Sequence, residues 1–111
     1  MIPADSIIIC HLVNPTEKFW GILKSLDPSG VVIRGINVAS FDDWMMQASR
    51  KEKPSLGLST MFVPLFRIER LFLDEQVGEV ESYRQRFESR VGMGVESFLG
   101  LENIDDTTPP S

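Results

Sequence analysis

Residues 19–38 read FWGILKSLDPSGVVIRGINV, the clearest β-hairpin pattern in the chain. Its two halves, 19–26 and 31–38, are short runs of apolar, β-branched and aromatic residues, which are typical of β-strands. The turn sequence between them suits a tight reversal, because Pro28 presets its own φ angle and Gly30 can adopt the left-handed conformation that closes a hairpin. The sequence predicts two antiparallel strands joined at residues 27–30.

Three more runs have the same β character, at residues 6–13, 61–66 and 68–73. Residues 14–17 (NPTE) separate the first run from the hairpin, since Pro15 keeps Asn14 out of the helical region. Pro64 indicates that the fourth strand lies at a sheet edge or is interrupted there, because proline cannot donate a hydrogen bond within a sheet. The expected plan is a meander of three strands followed by two more.

Helical periodicity appears twice outside these strands. Apolar residues Phe41, Trp44, Met45 and Ala48 recur with the spacing of one helix face and predict an inserted helix over about 40–52, with Ser40 as its N-cap. A second helix is predicted over about 76–91. Its apolar stripe consists of Val77, Val80, Tyr83, Phe87 and Val91. It should end near Gly92, and a short further helix is expected over 95–100.

Composition places limits on the function. The 111 residues, 42% of them hydrophobic, predict one domain over 1–103, followed by a disordered tail over 104–111. Eleven basic against sixteen acidic residues give a net charge of −5, which disfavours a protein that coats nucleic acid, and no DNA partner is expected. No run approaches the roughly 18 apolar residues of a membrane span, so a cytoplasmic protein with no membrane partner is expected.

Catalytic and metal chemistry is scarce in this sequence. The chain has one cysteine, Cys10, and one histidine, His11, too few for a metal cluster, a disulfide or a redox pair. As neighbours on a strand they point to opposite faces and cannot form a nucleophile and base pair, so His11 is interpreted as a half-buried structural residue. We expect no catalytic residue, no metal, no cofactor and no enzymatic activity.

The strand pattern and one motif resemble the Sm-like superfamily. Residues 21–27 (GILKSLD) fit its first signature, Gly-x-hydrophobic-x-x-hydrophobic-Asp, at Gly21, Leu23, Leu26 and Asp27. The preceding Leu-Val-Asn at residues 12–14 is common in the bacterial Hfq branch of that superfamily. The match covers about residues 7–36 and implies a five-stranded SH3-like barrel, with Leu23 and Leu26 facing its core. It also implies a ring in which the fourth strand of one subunit pairs with the fifth strand of the next.

Departures from the family pattern affect RNA recognition. The asparagine that reads uridine would fall at Val31, and the basic and histidine residues of the second signature fall at Pro64, Leu65 and Phe66. Only arginines remain as candidates for an RNA site formed by ring repetition. They are Arg34, Arg67 and Arg70. Pairing of these arginines with Glu69, Asp74 or the acidic helix is the simpler interpretation.

The leading hypothesis is therefore a non-enzymatic Sm-like barrel that forms a homo-oligomer and serves as a scaffold or interaction module. Its subunit interface is expected on the last two strands, which carry more apolar side chains than one short barrel face can cover. The candidate interface residues are Met61, Phe62, Val63, Leu65, Leu71 and Phe72. An RNA-binding ring with weak, unselective binding is the first alternative. A small-molecule sensor or enzyme, with a pocket between helix 41–48 and the barrel, is the second.

Overall fold

The computed structural model of the protein describes residues 2–51 and 55–100. The chain forms two compact units, Met1–Asp74 and Glu75–Ser111. The first contains five β-strands: β1 (Ile7–Leu12), β2 (Glu17–Asp27), β3 (Gly30–Asn37), β4 (Ser59–Pro64) and β5 (Ile68–Leu73). They form one antiparallel sheet in the order β4-β3-β2-β1-β5. The predicted mainly-β architecture with five strands is confirmed.

The sheet is strongly curved, as the link between its two edge strands requires. β4 and β5 lie at opposite edges, and in a flat sheet of five strands those edges would be about 19 Å apart. Only a 3-10 turn, Leu65–Arg67, joins them, and three residues in that conformation advance about 6 Å. Backbone bonds hold the turn on both sides: the Leu65 N–H donates to the Ser29 oxygen at 3.0 Å, and the Val13 N–H donates to the Arg67 oxygen at 2.8 Å.

Two features of β2 explain how the strand takes part in this curvature. Its pairing with β3 shifts between Leu23 and Ser25, and such a bulge bends a strand. Gly21 lies opposite Gly35, so close that a Cβ on Gly21 would be 2.3 Å from the Arg34 carbonyl oxygen. Only glycine fits at position 21.

One cluster of core residues lies on the concave side of the sheet, and other buried side chains, such as Ile9, Trp20 and Ile36, lie on the opposite face. The buried residues of the concave cluster come from alternate positions of four strands: Ile8, Cys10, Leu12, Leu23, Val31, Ile33 and Val63. Leu26 was expected beside Leu23 in this core, and that expectation is wrong, because Leu26 is 46% exposed. The cause is its position next to the hairpin turn, where residues 24–27 of β2 are all exposed.

Helix α1 (Phe41–Ser49) covers part of the opposite face of the sheet. The rings of Phe41 and Trp44 lie 5.0 and 5.5 Å from the fully buried ring of Trp20. The predicted insertion is confirmed but shorter than expected, and Ser40 is the N-cap without a side-chain bond. A 3-10 turn, Val38–Ser40, precedes the helix and is capped by the Asn37 side chain, which accepts from the Ala39 N–H at 2.8 Å. Residues 52–54 lie outside the described part of the chain.

The second unit contains α2 (Tyr83–Val91) and α3 (Val95–Leu99). The prediction that α2 begins near residue 76 is wrong. Val77 and Val80 exchange two backbone hydrogen bonds across a tight turn that includes Gly78 at a φ of 59°. Ser82 and Gln85 then start the helix with a capping box, in which each side chain accepts from the other residue's backbone N–H.

Phe87 of α2 is fully buried, and its ring lies 5.2 Å from that of Phe98 in α3. The Arg84 guanidinium and the Glu96 carboxylate form a salt bridge between the same two helices. The predicted disordered tail at 104–111 lies outside the described residues. A single domain over 1–103 stays a prediction.

Candidate functional site

Most of the exposed large apolar side chains of the first unit lie on the two edge strands or in the turn between them. On and after β4, Phe62, Leu65 and Phe66 are 54%, 41% and 83% exposed. On β5, Phe72 and Leu73 are 36% and 40% exposed. Such side chains beside an open strand edge are a common feature of surfaces that pair with another chain.

The open edge of β4 carries backbone groups that point away from β3. Because the Leu65 N–H donates toward the β3 side, the alternation of an antiparallel ladder turns Met61 and Val63 toward β3 as well. The backbone groups of Thr60, Phe62 and Pro64 consequently face outward. Pro64 thus lacks its N–H at a position where β3 needs no donor, as expected for proline in an edge strand.

The same alternation holds for β5. The Asp74 N–H donates to the Ile7 oxygen at 3.0 Å, so the backbone groups of Phe72 and Arg70 also point toward β1. Those of Glu69, Leu71 and Leu73 point to the open edge. Among residues 2–51 and 55–100, no further strand pairs with the outer edge of β4 or of β5.

The predicted interface residues divide between this surface and the core. Phe62, Leu65 and Phe72 are exposed, as an interface requires. Met61 and Leu71 are partly buried and pack against the core cluster. Val63 is 4% exposed and belongs to the core, since its side chain lies on the concave side of the sheet, so it cannot offer its side chain to a partner.

Arg67 holds the turn between β1 and β2. Its guanidinium donates to the backbone oxygens of Val13 and Pro15 at 2.9 and 2.7 Å, and it forms a 3.0 Å salt bridge with Glu17. The carboxylate that Arg67 pairs with is Glu17, which was not among the partners named from the sequence, Glu69, Asp74 and the acidic helix. The donors of Arg67 are directed to its own chain.

The other two candidate arginines lie apart. Arg34 is exposed on β3, opposite Ile22, with its guanidinium 3.4 Å from the Thr60 hydroxyl. Arg70 is exposed on β5, three strands away from β3 in the sheet, where it lies opposite His11 with its guanidinium 3.9 Å from the Glu69 carboxylate. Within one chain the structure does not gather Arg34, Arg67 and Arg70 into a single cluster.

A different group of basic residues does come together. Lys18 of β2 lies directly opposite His11 of β1, and His11 lies directly opposite Arg70 of β5. These three residues, called the basic row below, cross three adjacent strands on the convex face of the sheet. The His11 ring also meets the Phe72 ring edge to face at a centroid distance of 5.0 Å.

Burial and its neighbours lower the pKa of His11. Partial burial contributes most, the positive charges of Lys18 and Arg70 act in the same direction, and Glu69 opposes them. The His11 imidazole therefore stays neutral down to a lower pH than a histidine in water does. Cys10 faces the core on the other side of the strand, and burial raises the pKa of its thiol to about 11, so it is a poor nucleophile.

A cleft of about 370 Å³ opens beside the basic row, at the start of β2. It is lined by Thr16, Glu17, Lys18, Asn37, Val38 and Ala39. The pocket expected between helix 41–48 and the barrel would lie where α1 packs directly on Trp20. The cleft instead borders the 3-10 turn that precedes α1.

Sequence reasoning missed the basic row, although the sequence carried a signal for it. The turn of residues 13–16 fixes the register of β1 and β2, which sets His11 opposite Lys18. The position of Arg70 beside them depends on pairing between β1 and β5, which are distant in sequence.

Comparisons with protein-family models, with curated proteins and with solved structures found no match to this chain. Within residues 2–51 and 55–100, no group of three or more His, Cys, Asp or Glu side chains is placed to hold a metal ion. No helix in this described part of the chain has the length and apolar character needed to cross a membrane.

Proposed function

We propose that this protein is a cytoplasmic Sm-like barrel that binds copies of itself through its two edge strands and acts as a non-enzymatic scaffold or interaction module. The strand order, the curved sheet and the 3-10 turn between β4 and β5 support the barrel assignment. The close approach at Gly21 supports the match to the first signature.

The observation that carries the proposal is the pair of complementary open edges on one chain. β4 offers the outward N–H and C=O groups of Thr60 and Phe62, and β5 offers those of Glu69, Leu71 and Leu73. A β4 edge that pairs with a β5 edge of a second copy forms a head-to-tail contact, which leaves one edge open at each end. Repeated addition closes a ring or extends a filament.

Exposed apolar side chains favour the same contact. Phe62 on β4 and Phe72 on β5 both lie on the convex face of the sheet, so strand pairing brings the two aromatic surfaces of neighbouring copies to one side. Burial of such area contributes about 25 cal/mol per Å², in addition to the backbone hydrogen bonds.

The test is the molar mass in solution, measured by light scattering at micromolar concentration. The wild type should exceed the 12.5 kDa of one chain by an integral factor. Thr60→Pro removes an outward N–H without removing a bond to β3, and Phe62→Lys places a charge on the exposed edge. Both variants should remain folded and have a lower mass.

Two controls make the result specific. Val80→Lys changes a valine that is 71% exposed in the second unit and should leave the mass unchanged. Met61→Pro removes an N–H that points to β3 and should unfold the sheet. A wild-type mass of 12.5 kDa, or equal loss of mass in Val80→Lys, would contradict the proposal.

RNA binding through the three arginines is the less favoured hypothesis, because Arg67 already bonds Val13, Pro15 and Glu17. Binding to labelled poly-U or poly-A should be weak at 150 mM salt, as measured by fluorescence anisotropy. Tight binding abolished by Arg34→Glu would reverse the order of the two hypotheses.

A further inference from the structure

The basic row is arranged in a way that fold stability alone does not favour. Lys18 and Arg70 lie on either side of His11, one on each neighbouring strand, and the positive charges of both lower the pKa of its imidazole. The row also occurs in a chain whose net charge is −5, where acidic partners are plentiful.

Counter-charges are nevertheless sparse around the row. Lys18 makes no salt bridge or hydrogen bond with any residue in the described part of the chain. Within residues 2–51 and 55–100, the one carboxylate that Arg70 pairs with is Glu69, at 3.9 Å, and both side chains are more than half exposed. Glu17, the other nearby carboxylate, is bound by Arg67. An anion bound to the row would supply the missing negative charge.

We propose that Lys18, His11 and Arg70 bind the phosphate group of a small phosphate ester, and that the rest of this ligand occupies the adjoining cleft. A phosphate has several acceptor oxygens that suit the forked guanidinium of arginine and the ammonium of lysine. The ring of His11 lies between these two cations, and Phe72 bounds one side of the site.

Lys18 connects the two parts of the site, because it belongs to the row and also lines the cleft. The cleft is a shallow depression of about 370 Å³ that is largely open to solvent. Most of the surface that lines the cleft is apolar, so the non-phosphate part of the ligand should present apolar atoms to it.

The charge pattern favours a small ligand over a nucleic acid chain. The row supplies three contacts in one place, whereas a polynucleotide needs a series of cations along its backbone to overcome repulsion from an acidic protein. This inference concerns the convex face of a single chain and does not depend on assembly through the edges.

NMR provides a direct test, because His11 is the chain's one histidine and gives a single imidazole signal. The probes are inorganic phosphate and adenosine monophosphate (AMP), each added up to millimolar concentration. Both should move the His11 signal and raise its pKa, since a bound anion offsets the positive charges of Lys18 and Arg70. AMP should bind at least tenfold more tightly than inorganic phosphate, because it also fills the cleft.

Variants separate a specific site from general charge attraction. Lys18→Gln and Arg70→Gln should each weaken AMP binding about tenfold or more, as expected for loss of one charge-assisted hydrogen bond. Lys24→Gln is the matched control, because Lys24 is an exposed lysine of the same strand and is paired with Asp5. It should retain wild-type affinity.

Four outcomes would overturn the inference. They are an unmoved His11 signal, AMP binding no tighter than inorganic phosphate, an equal loss of affinity in Lys24→Gln, and tighter binding of oligonucleotides than of AMP. The edge variant Thr60→Pro should bind AMP as the wild type does. AMP binding by this variant distinguishes failure of the phosphate site from failure of the proposed assembly.

Discussion

Replacing Asp74 with alanine should lower the free energy of unfolding by about 2 kcal/mol. The indole N–H of Trp20 donates to the Asp74 carboxylate at 2.9 Å, and Trp20 and Asp74 are 0% and 3% exposed. The side chain of alanine has no acceptor atom, so the single N–H of the Trp20 indole would stay buried without a partner. Such a loss costs about 1–3 kcal/mol, which is larger than the net value of most hydrogen bonds.

Urea denaturation followed by tryptophan fluorescence measures this loss. Asp74→Asn is the control, because its amide oxygen can still accept from Trp20, and it should lose less than half as much stability. In a thermal melt, the alanine variant should unfold roughly 8–16 °C earlier. An Asp74→Ala protein within about 0.5 kcal/mol of the wild type would refute the reasoning, since that is the usual range for changes at inconsequential surface sites.

Three further predictions concern single residues of the same unit. Gly21→Ala should destabilise the protein by about 1–3 kcal/mol or more in urea denaturation, because the added Cβ would lie 2.3 Å from a backbone oxygen, whereas Gly57→Ala, with no atom within 4 Å, should not. Burial is the main reason that the pKa of His11 is lowered in the folded protein. The unfolded state therefore takes up a proton at a higher pH than the folded state does. The free energy of unfolding should therefore decrease as the pH falls below about 6.5, and His11→Gln should remove that decrease in denaturation at pH 7 and pH 5. Cys10, with a pKa of about 11, should resist a thiol reagent at pH 8 and react rapidly in denaturant, and rapid reaction of the native protein would contradict its burial.

The sheet was predictable wherever local chemistry determines structure. The turn sequence at residues 27–30 fixes the β2–β3 hairpin, and the Asp27 carboxylate accepts from the Ser29 N–H at 2.8 Å. The start of α2 was predicted wrongly, because Val77 and Val80 continue the spacing of the apolar stripe although they lie in a turn. The Ser82-x-x-Gln85 capping box was visible in the sequence and would have placed the helix correctly.

The candidate sites depended more on contacts between distant residues. Arg67 bonds Val13, 54 positions away in sequence, and no local pattern predicts that pairing. Exposure of Phe62 and Phe72 could be expected from strand alternation, but burial of Val63 required knowledge of which face is concave. The basic row needed the β1–β5 register, which only the folded chain provides.

Pro64 limits how far along β4 a second copy of the chain can pair. It lies in an edge strand, as its missing N–H requires, and faces the open side, so the β3–β4 pairing loses no hydrogen bond. A second copy pairing along β4 would find full backbone groups at Thr60 and Phe62 but only a carbonyl at Pro64. Pairing is therefore limited to the first part of β4, and affinity between copies must depend on the apolar side chains beside it. This explains why Phe62→Lys should weaken assembly at least as much as Thr60→Pro, and the reverse order in the measured masses would show that backbone pairing dominates.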